Sequence, residues 1–246
     1  MSKEDYSGLS VVYDAVMKEA PYASWLTFLQ SHLPHLAQLD VADIGCGTGR
    51  LTVELAALTR TIVGVDNSEE MLMQAEQRAQ LEHARVLWLC QDMRELRIPA
   101  PVDVILSTCD CFNYLLTQSD MMNTLKRVRQ SLRRGGWFGF DILGPKRANT
   151  LAEGLWYDVQ DNHVVIYESS VSSTGRIDYD VLAFTSHDGN TYHRFEEHHV
   201  QQLYTAHEVL KMLQETGFST ERCLGDFGEH DISDADRIVF WTKVAD

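Results

Sequence analysis

Between residues 39 and 143 the chain alternates two rhythms. Short apolar runs, LDVADIG (39–45), TIVGVD (61–66), ARVLWLCQD (84–92), VDVILST (102–108) and WFGFDIL (137–143), read as strands. Residues 50–58, 68–80 and 120–132 carry apolar side chains at helical spacing instead. Asn67 or Ser68 supplies the cap of the second of these helices, and Gly135-Gly136 stops the third. Near-continuous apolar strands separated by helices predict a parallel sheet covered on both faces. Upstream, Val12 and Val16, then Trp25, Leu26, Leu29 and Leu33, punctuated by Pro21 and Pro34, predict two helices.

From about residue 155 the period falls to two. HVVIYESSVSSTG, RIDYDVLAFTSHDG and NTYHRFEEHHVQQLY predict three antiparallel strands turned at Gly175 and Gly189. Helical spacing returns at 206–215 and ends at Gly217, and FSTERCLGDF and DRIVFWTKV read as two closing strands. No repeat or low-complexity linker interrupts the chain. The pattern therefore predicts one α/β domain, residues 1–246, with a doubly wound, mainly parallel seven-stranded sheet of Rossmann-like type. Its parts are N-terminal helices (1–38), a core (39–154), an antiparallel β insertion after the fifth strand (155–204), and a last helix with a closing hairpin (205–246).

Composition narrows the function. Of 246 residues, 44% are hydrophobic, enough for a sizeable core. Lys and Arg number 21 against 36 Asp and Glu, a net charge of −15. Phosphate backbones repel such a surface, so no nucleic acid partner is expected. Lys126, Arg127, Arg129, Arg133 and Arg134 form the one basic cluster, and a solvated helix end explains them. MSKEDYSGLS has no signal-peptide character, and no window nears an uninterrupted apolar run of ~18 residues, so a cytoplasmic protein without a membrane span is expected. Cys46, Cys90, Cys109, Cys111 and Cys223 are odd in number and form no Cys-x-x-Cys pair, which fits reduced thiols and no metal site.

The stretch VADIGCGTGR (41–50) carries the chemistry. It joins a strand to a helix and places Gly45, Gly47 and Gly49 at alternate positions after Asp43. Parallel sheets bind ligands beyond the carboxyl ends of their strands, where glycine lets a ligand touch the backbone. A nucleoside triphosphate loop needs a lysine after its last glycine, and none follows. A dinucleotide fingerprint counted from Gly45 needs a small residue at position 50, where Arg50 stands. Acidic-x-Gly-x-Gly-x-Gly is matched from Asp43 to Gly49 at every fixed position.

With that motif the chain resembles the class I S-adenosylmethionine-dependent methyltransferases over residues 39–143. The resemblance implies S-adenosyl-L-methionine as cofactor, held by Asp43, Gly45, Cys46, Gly47 and Gly49 of the loop. It implies that Asp66, followed by Asn67, binds the ribose hydroxyls, and that Asp92 and Met93 meet the adenine. STCDCFNY (107–114), with Cys109, resembles the segment facing the methionine portion and the methyl group. YDAVM (13–17), with Tyr13, resembles the lid helices of small-molecule members, and the strands around Gly217 resemble the family's final hairpin. Plainer roles stay open: Asp66 as a helix cap, Asp92 as a turn residue, Met93 and Met71 as core, Tyr6 and Tyr13 as surface aromatics.

Asp110 is the polar residue nearest the expected methyl, placed to orient an acceptor, to take its proton, or to cap the next segment. In HRFEEHHV (193–200) a strand would put His193, Glu197 and His199 on one face and Glu196 and His198 on the other, a polar or pocket-lining strand rather than a metal site. An alcohol or ammonium acceptor would need a proton removed, by Asp110 or a histidine of the insert. The proline-bearing signature of nucleic acid amide methylation is absent from Ser107-Thr108-Cys109-Asp110, which with the charge favours a small-molecule acceptor. The expected function is methyl transfer to such an acceptor. Its alternatives are a non-catalytic S-adenosylmethionine-binding regulator and a nicotinamide-dependent oxidoreductase. A homodimer is compatible with the exposed strand edges of the insertion.

Overall fold

The computed structural model describes residues 20–160, 163–186 and 190–245. The expected first helix, with Tyr6 and Tyr13, lies outside the described residues.

Strands β1 (Asp40–Ile44), β2 (Thr61–Asp66), β3 (Leu87–Cys90), β4 (Val102–Ser107), β5 (Leu132–Leu143), β10 (Phe218–Gly225) and β11 (Arg237–Val244) form a seven-stranded sheet in the order β10-β11-β5-β4-β1-β2-β3. The five strands from β1 to β5 pair in parallel, and β11 runs antiparallel between β5 and β10. Helices α1 (Tyr22–His32) and α2 (Arg50–Ala56) contribute to one face, and α4 (Gln118–Ser131) and α6 (Ala206–Glu215) to the other. Alternation along the strands assigns the faces: Val41, Val104 and Leu106 join Trp25 and Leu29 of α1, while Ala42, Ile44 and Ile105 join Leu125 and Val209. Helix α3 (Glu69–Leu81) follows β2, its start capped by Ser68 Oγ accepting from the Met71 amide.

The expected third helix begins and ends slightly earlier than its pattern suggested. Thr117 caps α4, and Leu132 already belongs to β5. Gly135 and Gly136 thus lie inside the strand, and a Cβ at Gly136 would stand 2.9 Å from the Arg133 carbonyl.

The insertion is larger than its periodicity indicated. Helix α5 (Pro145–Ala152) and an extra strand, β6 (Leu155–Gln160), precede β7 (His163–Val171), β8 (Arg176–Thr185) and β9 (His193–Gln202). The four strands form one antiparallel sheet, β6-β7-β8-β9. Its inner face carries Val165, Tyr167, Ile177, Val181 and Ala183, all buried. On β6 the apolar residues Leu155, Tyr157 and Val159 point outward and are exposed. Asn113 fastens this sheet to the core: its Nδ2 donates to the Gln202 carbonyl at 2.8 Å, and its Oδ1 accepts from the Leu143 amide at 3.0 Å.

Candidate active site

A cleft opens at the carboxyl ends of β1, β2, β3 and β4. Gly45, Gly47, Asp66, Asn67, Asp92 and Met93, all singled out in the sequence, line it together. Asp66 ends β2 and is 7% exposed. One of its oxygens accepts from the Gly47 amide at 2.9 Å and the other from the Ser68 amide at 3.0 Å. Burial pushes its carboxyl above the ordinary range, and these backbone donors work against that shift. A carboxylate offers about four acceptor sites, so capacity remains beside the two amides.

The loop glycines serve the protein as much as a ligand. All three have positive φ, at 72°, 54° and 71°. A Cβ on Gly45 would stand 2.6 Å from Cys111 Sγ, and one on Gly49 would stand 2.7 Å from the Trp88 ring and 2.8 Å from Ala75 Cβ. Asp43 is turned away from the cleft: it is buried, and Thr52 of α2 donates to its Oδ2 at 2.6 Å. Its Oδ1 is buried without a hydrogen-bond partner, and burial pushes the carboxyl up to about 6.

Asp92 caps a short turn, Met93–Glu95, by accepting from the Arg94 amide at 2.8 Å. Burial raises its carboxyl, but the Arg94 guanidinium at 2.5 Å outweighs that and holds it below the ordinary range. Met93 packs in the core on one side and lines the cleft on the other.

The turn after β4 is strained and heavily braced. Cys109 and Asp110 adopt left-handed φ of 61° and 54°. Asp141, at the end of β5 and fully buried, holds them there by accepting from the Cys109 amide at 3.1 Å and the Asp110 amide at 2.6 Å. It also accepts from Trp25 Nε1 at 2.9 Å and from Arg237 Nη1 at 2.5 Å. Arg237 reaches Asp110 Oδ1 at 3.2 Å, and Gln201 Nε2 of β9 donates to Asp110 Oδ2 at 2.9 Å. Asp110 is thus an anchor between the core and the inserted sheet. Sequence reasoning missed Asp141 and Arg237, whose roles exist only through partners 31 and 96 residues apart.

Burial pushes three thiols near the loop upward, Cys109 to about 12 and Cys46 and Cys111 well above the ordinary thiol value. The thiolate is the nucleophile, so these groups stay inert toward an electrophile held beside them.

Tyr114 lines the cleft at the end of the Cys111–Tyr114 turn. Its hydroxyl lies 2.8 Å from that of Tyr179 and 3.2 Å from His199 Nδ1. Glu197 and His199 do share the inner face of β9, as the alternation predicted, while Glu196 and His198 are exposed on the other. His193 is exposed, and no metal-binding group of three or more such side chains occurs among the described residues.

Known proteins resemble this chain in sequence and in fold. A family model described as a methyltransferase domain matches residues 41–136. A Bacillus subtilis (strain 168) protein named "Putative methyltransferase YqeM" is 32% identical over 238 residues, covering 96% of this chain and 95% of its own. The chain belongs to the class I S-adenosylmethionine-dependent methyltransferases. Among solved structures, an S-adenosylmethionine-dependent methyltransferase from Clostridium acetobutylicum ATCC 824 superposes on this methyltransferase with a TM-score of 0.88 at 24% identity, covering 98% of this chain and 99% of that one. Streptomyces venezuelae DesVI superposes with a TM-score of 0.74 at 20% identity, covering 94% and 97%. The methyltransferase is an enzyme whose cofactor is S-adenosyl-L-methionine. The cleft fits that group: a buried carboxylate with spare acceptors faces it, and the glycine backbone at Gly45 and Gly47 opens onto it. Among the described residues no helix is long and apolar enough to cross a membrane.

Proposed function

We propose that this methyltransferase acts on a small-molecule acceptor, bound between the β4 turn and the inner face of the inserted sheet. The observation that carries this reading is the docking of β9 onto the strained turn through Asn113, Tyr114 and Asp110, beside the cleft. S-adenosylmethionine supplies a methyl group activated by its sulfonium. The chain's own residues bind and align. Asp66 takes the ribose hydroxyls, and Asp92 with Met93 frames the adenine. The backbone at Gly45 and Gly47 leaves room for the methionine portion. The β4 turn, with Cys109, borders the methyl, and Asp110 fixes that turn in place. The net charge of −15 supports a small acceptor over a nucleic acid.

Calorimetry tests the cofactor half. S-adenosylhomocysteine is expected to bind and NADH to give no heat. Asp66→Ala is expected to cost roughly 1.5–3 kcal/mol, one to two decades in Kd, for a lost charged acceptor. An unchanged Kd removes Asp66 from the site. Transfer of label from methyl-labelled cofactor into a metabolite extract tests the other half. Label appearing only in nucleic acid would overturn it.

A further inference from the structure

The inner face of the inserted sheet holds a pair that a purely structural face would not favour. On the same face Val165, Val181 and Ala183 are fully or almost fully buried, and Ser169 and Gln201 are buried beside the pair. Yet β9 sets the side chains of Glu197 and His199 there at 4% and 0% exposure, with Glu197 Oε2 and His199 Nε2 3.2 Å apart, within ion-pairing distance though not in hydrogen-bond geometry. Burying such a pair costs desolvation, so an apolar pair would serve the sheet at least as well. The imidazole is also aimed. Tyr179 stacks on it at 4.8 Å with the rings 16° apart, and Tyr114 meets it edge-on. His199 Nδ1 lies 3.2 Å from the Tyr114 hydroxyl, and Tyr114 lines the cofactor cleft. A carboxylate, an imidazole and a phenol thus run in series from inside the sheet to the cleft wall.

Asp110 does not offer the same service. Arg237 occupies one of its oxygens and Gln201 the other. Both contacts pin the carboxylate to the turn, and its guanidinium partner is shared with Asp141.

We propose that Glu197 and His199, acting through the Tyr114 hydroxyl, form the proton-accepting relay for methyl transfer, and that the acceptor is therefore a hydroxyl or an ammonium nitrogen that must lose a proton. This rests on the acceptor site proposed above. As the acceptor's electron pair bonds to the methyl carbon, the pair of the broken carbon–sulfur bond stays on sulfur as a neutral thioether. The acceptor's proton passes to the Tyr114 oxygen while the Tyr114 proton passes to His199 Nδ1, during attack for a hydroxyl and before it for an ammonium, whose N–H bond pair becomes the attacking pair. The imidazolium so formed faces the Glu197 carboxylate. Tyr114 is the residue that touches the acceptor. His199 and Glu197 act through it, and Tyr179 holds the imidazole plane.

The arrangement requires a neutral His199 with its proton on Nε2, toward Glu197, and a bare Nδ1 toward Tyr114. Nitrogen-15 NMR of the histidine-labelled protein with S-adenosylhomocysteine reads this directly, the resonance being assigned by its loss in His199→Asn. The expected result is the Nε2–H tautomer near neutral pH, with Tyr114→Phe shifting the Nδ1 signal and Glu197→Gln the Nε2 signal. In the labelled-cofactor extract assay, Tyr114→Phe and His199→Asn are each expected to lower methyl incorporation at least a hundredfold, the scale of general-base catalysis. The Kd for S-adenosylhomocysteine should stay within threefold. An Nδ1–H tautomer, a His199 signal indifferent to Tyr114→Phe, or near-normal incorporation by folded variants would overturn the relay. Where His199→Asn fails to fold, Glu197→Gln and Tyr114→Phe give the same decision. Failure of the wild-type protein to bind S-adenosylhomocysteine would count against the cofactor reading instead, and label confined to nucleic acid against the acceptor site.

Discussion

Three buried carboxylates, Asp43, Asp66 and Asp141, are all pushed above the ordinary range by burial, and they differ in the donors that work against it. Asp141 has two backbone amides, an indole and a guanidinium. Asp66 has two amides and a cleft. Asp43 has only the Thr52 hydroxyl, and its second oxygen goes unpaired. At Asp43 burial lifts the carboxyl to about 6 from an ordinary 3.8, with the Thr52 hydrogen bond working against it. A raised carboxyl binds its proton more tightly in the folded chain than in the unfolded one. Its contribution to stability is present below about pH 4 and is lost as pH climbs through 6. Two units correspond to roughly 3 kcal/mol. Asp43→Asn removes that loss while keeping an acceptor for Thr52. Urea unfolding of the cofactor-free protein should show the variant gaining on the wild type by up to about 3 kcal/mol between pH 4 and pH 7. A gap that does not change with pH would mean that Asp43 stays charged in the folded state. At this scale the acidic residue and its spacing were legible in the motif. Its orientation into α2 was not, because the motif does not encode which way a strand-end side chain turns.

Elements explain the glycine pattern better than a ligand alone does. Gly49 opens α2 in a left-handed conformation against Trp88 of β3 and Ala75 of α3. A methyl there meets two rigid neighbours as well as the backbone strain. Gly49→Ala should therefore cost roughly 2–4 kcal/mol in urea unfolding, about 1–2 from φ and the remainder from overpacking. Gly154 is the control: its φ is 98°, but the nearest atom to a new Cβ is the Ser169 carbonyl at 3.7 Å. Gly154→Ala should show only the backbone cost, and equal losses at the two sites would remove the packing argument. The core elements were readable because buried parallel strands are apolar throughout. Helix α5 and strand β6 were not readable, for two physical reasons. Helix α5 spans only eight residues with Leu151 its one buried side chain. Strand β6 is an edge strand whose apolar residues face outward, so its pattern does not report burial.

The molecule as a whole is two sheets joined by the turn after β4 and by an apolar cluster of Leu143, Leu151 and Ile177. The core sheet carries the cofactor cleft, the inserted sheet carries the polar row Glu197, His199 and Gln201, and residues 110–114 lie between them. The existence of the insertion and the exit point of the chain beside the cleft followed from sequence order alone. The contacts that join the two sheets did not, since Asn113 and Gln202 are separated by 89 residues and the segment 107–114 does not encode which distant partner Asn113 takes. Asn113 is fully buried and bonds to both sides, to Gln202 of β9 and to Leu143 at the end of β5. Asn113→Ala takes the acceptor from the buried Leu143 amide and the donor from the half-buried Gln202 carbonyl, a cost of about 1–3 kcal/mol. That cost falls on the junction, because the cores on either side keep their own packing. Local opening should rise accordingly, by about five- to a hundredfold. Hydrogen exchange should accelerate at the Leu143 amide and along β9, with the amides of β1 and β4 nearly unchanged. Binding of S-adenosylhomocysteine should stay within about threefold, since Gly45, Gly47 and Asp66 belong to the core, while methyl incorporation falls with the loosened sheet. Exchange rising equally in β1 would mean that the two sheets unfold as one unit. A parallel loss of cofactor affinity would mean that the inserted sheet helps to hold the methyl donor as well as its acceptor.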